Sequence, residues 1–274
     1  MNNRNPKLRI FSYLPNPRIF KSTIVARICG IDIEVRGAKP HELENWLWDF
    51  DARPLSNDDR NNAENRPIKG SKGFDNILYK TESFQKAHPF GAVPAAFSET
   101  GEGIFESNSI MRYVARLGGN KNNIYGKDKI SMSRIDSFLD ASLVFARDAQ
   151  LYLLSLMQND FNRYVQKLFA NSVHSYLSGI TRELATSSFI GAQHLNLADI
   201  CFVSEMALIE NERIYLKLIE KNKSAPIIGE DFQKKFSVAL DHYSRLCDHP
   251  QIKPELHPYL ESIKKIEMNN LKEC

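Results

Sequence analysis

The spacing of apolar residues changes period near residue 120, and that change restricts the fold more than any other feature of the chain. Before it, short alternating runs are interleaved with helical ones. "LRIFSY" at 8–13 alternates and reads as a strand, and "NPRIFKSTIVARICG" reads as a helix. Asn16 is a candidate N-cap, Pro17 suits the first turn, Phe20, Ile24 and Ile28 form an apolar stripe, and Gly30 stops the helix. "IDIEV" alternates through Ile31, Ile33 and Val35 as a second strand. A β-α-β opening implies a right-handed crossover and parallel strands. Further on, "VPAAF" and "GIF" flank the turn-rich "SETGEG", a hairpin. "SNSIMRYVARLGG" then carries Ile110, Tyr113, Val114 and Leu117 on one helical face.

After "NKNNIYGKDK" no strand pattern follows. "SRIDSFLDASLVFARDAQLYLLSLM" and "NRYVQKLFANSVHSYLSGITREL" have helical periodicity, and "DFQKKFSVALDHYSRLCDHP" is a further helix ended before Pro250. "NLADICFVSEMALIE" has a marked start: Asn196 as N-cap, Asp199 at N3, and Leu195 placed to staple onto Ile200. The pattern divides the chain into an α/β domain over 7–119 and an all-α helical domain over 127–266.

Residues 36–84 interrupt the first domain, with an insertion over about 41–80. A connection this long is uncommon inside a compact domain. "HELENWLWDFDARPL" holds both tryptophans, and its Trp46, Trp48, Phe50 and Leu55 carry too much apolar surface to leave in water, so order is expected there. "NDDRNNAENRPIKGSKG" has almost nothing to bury and is expected to be a mobile, solvated loop.

Composition excludes several function classes. With 36 basic and 33 acidic residues, the net charge of +3 predicts no nucleic-acid surface. The most apolar stretch is broken by Asp140, Arg147 and Asp148, so no membrane span is expected. The polar start "MNNRNPKLRI" lacks an apolar signal core, which points to a cytoplasmic protein. Cys29, Cys201, Cys247 and Cys274 lie far apart, and no His/Cys cluster has zinc spacing, so reduced thiols and no metal are expected.

"HPFGAVPA", "FESNSIMRYVA" and "FIGAQHLNLADICF", in that order and in this succession of elements, resemble the cytosolic glutathione transferases. The resemblance covers roughly 8–35 and 84–250. Within that superfamily the chain is most similar to the transferase-like domain of the elongation-factor gamma subunit, through "YLPNPRIFKSTIVA" and "FESNSIMRYVA", and to the fungal nitrogen-regulator-like transferases. The chain ends soon after its last helical pattern, so the separate C-terminal domain of the elongation-factor subunit is not expected in it.

The resemblance implies a thioredoxin-like N-terminal domain, an all-helical C-terminal domain, glutathione as co-substrate, a small electrophile as second substrate, and a homodimer. It makes Pro94 a cis-proline and assigns the Val93 N–H and C=O to the cysteinyl backbone of glutathione, a short case of strand addition. On the residues alone, Pro94 can equally be a turn proline ending a strand. Ser107 would take the γ-glutamyl carboxylate at a helix N-terminus, and Glu106 the neighbouring ammonium; Ser107 also reads as a plain N-cap. Arg18 either faces the thiol pocket or lies on the surface. Phe138, Phe145 and Tyr152 either line a co-substrate pocket or pack in the core.

Catalysis requires a group that favours the thiolate. A free thiol titrates near 8.5, and lowering that by roughly two units requires about 2.7 kcal/mol. Active family members use Tyr, Ser or Cys at the position matched here by Asn16. The Asn16 amide supplies about 0.5–1.5 kcal/mol, and the helix terminus about 0.3–1 kcal/mol. Tyr13 is the alternative hydroxyl, and Asn16 also reads as a plain cap. Two functions stay open at this point: a glutathione-dependent enzyme conjugating or reducing small electrophiles, or a non-catalytic transferase-like scaffold, translation-associated by resemblance.

Overall fold

The structure, a computed structural model, describes residues 6–272 apart from 63, 72 and 75. The chain forms two compact units, Met1–Lys121 and Asn122–Cys274.

The first unit is built on a four-stranded sheet of order β2-β1-β7-β8. β1 (Leu8–Phe11) runs into α1 (Pro17–Cys29) and returns as β2 (Glu34–Arg36), parallel to β1 with Ile10 level with Val35. β7 (Ala95–Ser98) is antiparallel to β1, and β8 (Gly103–Phe105) is antiparallel to β7. α4 (Ser107–Leu117) follows and packs against α1. Asn16 caps α1, and Gly30 closes it at φ 71°, donating its N–H to Ala26 and Arg27 carbonyls. The buried face of α1 is Ile19, Lys21, Ser22, Ile24, Val25 and Cys29; Phe20 and Ile28 lie at its half-buried edge. α4 likewise buries Ile110, Met111, Val114 and Ala115 and leaves Tyr113 and Leu117 half-buried. A face assigned by apolar spacing alone is off by one neighbour in both helices, because small residues such as Ala115 and Ser22 go to the closest contacts.

The insertion is a second four-stranded sheet of order β4-β3-β6-β5. Its strands are β3 (Trp46–Trp48), β4 (Arg53–Pro54), β5 (Asn65–Lys69) and β6 (Ile77–Thr81), with α2 (Asn57–Asn61) before β5 and α3 (Glu82–Ala87) after β6. The tryptophan segment is ordered. Trp48 is 1% exposed and shares one core with Leu43, Leu78 and Phe84 of the insertion and Phe11, Ala95 and Phe97 of the first sheet.

The expected solvated loop at 57–73 is in large part regular structure, which corrects the sequence reading; 63 and 72 lie outside the described residues. Polar pairing replaces burial there. Ser56 caps α2, and Asp59 closes the capping box onto the Ser56 N–H at 2.8 Å. Arg53 grips the Asp59 carboxylate at 2.5 and 2.8 Å, and the Asn65 side chain donates to the Asp59 carbonyl at 2.8 Å. β5 then pairs along five residues of β6, and its Pro67 is tolerated because β5 is an edge strand.

The second unit is helical: α5 (Lys129–Met157), α6 (Arg163–Leu184), α7 (Leu197–Ile209), α8 (Leu216–Lys221), α9 (Glu230–Lys235), α10 (Ser237–Cys247) and α11 (Lys253–Lys272). α7 is buried on nearly every side. Asn196 caps it, accepting from Ala198 N–H, and the Asp199 carboxylate accepts from the backbone N–H groups of Asn196 and Ile190 and from His242. The helix read over 231–250 is two helices, α9 and α10, parted at Phe236. Among the described residues no helix is long and apolar enough to cross a membrane, and no group of three or more His, Cys, Asp or Glu could hold a metal ion.

Candidate functional site

The sequence-selected residues of the first unit gather at one edge of its sheet. β1 ends at Phe11, which is level with Ala95 at the start of β7, and Ala95 is level with Phe105 at the end of β8. Tyr13, Val93 and Ser107 each lie two residues beyond this last paired set, after β1, before β7 and after β8. α1 and α4 both begin at this edge, directly after β1 and β8. Two sets of helix-terminal N–H groups therefore border it, a setting that favours anions.

The Val93–Pro94 bond is cis. Val93 lies beyond the last paired residue of β7, and among the described residues no hydrogen bond uses its N–H or C=O. A backbone left this way just before a strand offers one donor and one acceptor to an added extended peptide.

The cap position of α4 is Glu106, not Ser107. Glu106 has φ 66° and makes no side-chain capping bond, so its carboxylate is not spent on the helix. Ser107 is the first helical residue. Its Oγ accepts a hydrogen bond from Lys21 Nζ at 3.2 Å, and the same ammonium donates to Asn108 Oδ1 at 2.8 Å. Because Lys21 occupies a lone pair of the Ser107 oxygen, the hydroxyl hydrogen is left to point elsewhere. Lys21 is 1% exposed, and sequence reasoning missed it. The signal was available: Lys21 precedes Ile24 and Val25 by one helical turn and so lies on the buried face.

Asn16 is also 1% exposed. Its Oδ1 accepts from the Arg18 N–H at 3.0 Å, and its Nδ2 donates to Ser12 Oγ at 3.1 Å. The carbonyl end and one of two amide hydrogens are therefore engaged inside the loop. Tyr13 is half-buried and packs against the aromatic core of the insertion. Arg18 is half-buried in the first turn of α1. Cys29 is buried at the opposite end of that helix, and burial pushes its thiol up. Cys201 and Cys247 are buried as well, and Cys274 lies outside the described residues.

The second unit holds a cavity of about 360 Å³ between α5 and α6. Phe138, Val144 and Phe145 line it, with Asp148, Asn171, Ser172 and Ser175 among its polar groups. Tyr152 is not part of it: its ring stacks on Phe169 in the core and its hydroxyl donates to Glu212 at 2.7 Å.

No protein-family model matches the chain. Elongation factor 1-gamma 3 of Oryza sativa subsp. japonica is 31% identical over 192 residues, which is 62% of this chain and 44% of that protein. Probable elongation factor 1-gamma 1 of Arabidopsis thaliana is 29% identical over 135 residues, 48% of this chain and 32% of that protein. The chain thus spans less than half the length of these relatives. Among solved structures, the glutathione transferase URE2P5 from Phanerochaete chrysosporium superposes with a TM-score of 0.65 at 17% identity, covering 96% of this chain and 99% of the other. URE2P6 from the same organism, in complex with oxidized glutathione, gives 0.61 at 14% identity, covering 96% and 98%. The chain has the glutathione transferase fold, and its sequence relatives are elongation factor 1-gamma proteins.

Proposed function

We propose that this protein binds glutathione at the sheet edge of its first unit and conjugates it far more slowly than a dedicated transferase. The observation that carries the reading is the unspent N–H and C=O pair of Val93, set immediately before cis-Pro94 at the end of the sheet where α4 begins. In this arrangement the cysteinyl backbone of glutathione adds to Val93 as a short strand. Its γ-glutamyl carboxylate meets the Ser107 hydroxyl and the N-terminus of α4, and its ammonium meets the Glu106 carboxylate. Arg18, in the first turn of α1, lies beside the thiol end.

Thiol activation is the weak part. Asn16 has one amide hydrogen left, worth about 0.5–1.5 kcal/mol, and the α1 terminus adds about 0.3–1 kcal/mol. Together they supply about 0.8–2.5 kcal/mol, from about a third to about nine-tenths of the roughly 2.7 kcal/mol that a two-unit drop in thiol pKa requires. The similarity to elongation factor 1-gamma favours a role in which holding a ligand or partner matters more than turnover. A homodimer in the cytoplasm is the expected setting.

A glutathione titration paired with a standard aromatic-halide conjugation assay tests this. Saturable binding with turnover at least a hundredfold below an active transferase is the expected result. Turnover at transferase level that disappears in Tyr13→Phe replaces it with a tyrosine mechanism, and absence of saturable binding removes it.

A further inference from the structure

Lys80 belongs to β6 of the insertion and faces inward with Leu78, since alternate residues of a strand share a face. It is 8% exposed. Its ammonium lies 4.6 Å over the Trp48 ring and donates to the Gly91 carbonyl at 2.5 Å. Burial pushes the ammonium below its usual value. An apolar side chain would fill this inward position without any desolvation cost. What the ammonium adds is a directed bond to a carbonyl two residues before Val93.

That carbonyl belongs to the last residue of a tight turn. Gly91 donates its N–H to the His88 carbonyl at 2.8 Å, and at φ 57° it holds a conformation that favours glycine. A Cβ at Gly91 would meet Lys80 Nζ at 3.4 Å. The other end of the turn is pinned by His88, which is buried, stacks 4.7 Å from Phe105 of β8, and donates its N–H to the Phe84 carbonyl. The segment is therefore fixed from the first sheet by His88 and from the insertion by Lys80.

We infer that Lys80 is a positioning residue for glutathione, a clamp by which the inserted sheet sets the direction of the Val93 backbone groups. The inference rests on the proposed binding of glutathione at Val93. With Lys80 in place, the Gly91–Val93 backbone is ordered before the ligand arrives. Without it, ordering one backbone residue is charged to binding, a factor of roughly ten in affinity.

The test compares wild type with Lys80→Met in three readouts: glutathione affinity, affinity for an analogue N-methylated at the cysteinyl amide, and amide hydrogen exchange without ligand. The analogue cannot donate to the Val93 carbonyl. We expect Lys80→Met to weaken glutathione about tenfold and the analogue, which keeps only the bond from the Val93 N–H, about threefold. Exchange at the Gly91 amide should accelerate about tenfold while Ile10 in β1 is unchanged. Unchanged glutathione affinity in Lys80→Met, or equal loss for both ligands, overturns the clamp while leaving glutathione binding intact. If wild type fails to bind glutathione, the binding reading falls and the ligand role of Lys80 falls with it. Should Lys80→Met not fold, Lys80→Gln, which keeps a neutral donor, is expected to lose about threefold in glutathione affinity; wild-type affinity there also overturns the clamp.

Discussion

Replacing Trp48 by alanine removes the residue on which the two sheets of the first unit close. Trp48 is 1% exposed, with ring centroids 5.4 Å from Phe11, 5.4 Å from Phe74 and 5.9 Å from Phe84. Truncating a buried tryptophan costs about 3–5 kcal/mol in lost transfer energy and cavity. Two further losses add to this. The Nε1–H bond to the Leu43 carbonyl at 3.1 Å disappears, and Lys80 loses the ring beneath it, worth about 0.5–2 kcal/mol. The expected cost is about 4–8 kcal/mol, against a total stability of about 5–15 kcal/mol for a domain. With a urea dependence of about 2 kcal/mol per molar, the unfolding midpoint should drop by roughly 2–4 M. Far-ultraviolet circular dichroism is the probe, since the substitution alters tryptophan fluorescence directly. Trp48→Phe keeps an aromatic ring and loses the hydrogen bond, so it should cost only about 1–2 kcal/mol. A midpoint for Trp48→Ala within about 0.5 M of wild type would refute the claim that the insertion and the first sheet share a core.

Deleting residues 57–72 removes β5 and the Asp59 network together, so it should lower the urea midpoint by at least 1 M rather than leave folding unchanged, as a mobile loop would. The Asp59 carboxyl is held well below the usual carboxylate range, chiefly by the Arg53 hydrogen bonds. Its contribution is therefore complete above the unfolded value of about 3.9 and is lost as pH falls through the folded one; the stability gap between wild type and Asp59→Asn should be constant from pH 8 to 5 and narrow below about pH 4, and a gap that stays constant to pH 2 contradicts the assignment. Ser107→Ala should weaken glutathione about threefold, because the backbone N–H remains, and Glu106→Gln about tenfold, because a charged partner of the ammonium is lost; equal affinity in both variants and wild type removes these residues from the site.

The elements that bury an apolar face were legible in the sequence, because burial writes a period into it. α1, α4, α5 and α6 follow that rule, whereas α7, buried on nearly every side, was legible through its start, the Asn196 and Asp199 pairing. The second sheet was not legible. Its β5, Asn65–Lys69, has no apolar alternation and is held by backbone pairing and by an Arg53–Asp59–Asn65 network in which no apolar residue takes part. Val93, Pro94, Glu106 and Ser107 are singled out by the resemblance to the glutathione transferases; the sequence pattern itself marks only the turn before β7 and the start of α4 around them. Lys21 and Lys80 could not be recognised by residue type, because a lysine reads as exposed unless its register on a buried face is checked. Spacing alone leaves Tyr152 open between pocket and core; the hydroxyl bond to Glu212, 60 residues away, goes with the core position.

The central claim is that glutathione occupies the sheet edge formed by Val93 and the start of α4. Amide chemical-shift mapping during a glutathione titration tests it directly. The account predicts saturable shifts centred on Val93, Ser107 and Asn108, with smaller ones at Arg18 and none along α6. Saturable shifts confined to the cavity between α5 and α6, or no saturable shift at Val93 at millimolar glutathione, would contradict it.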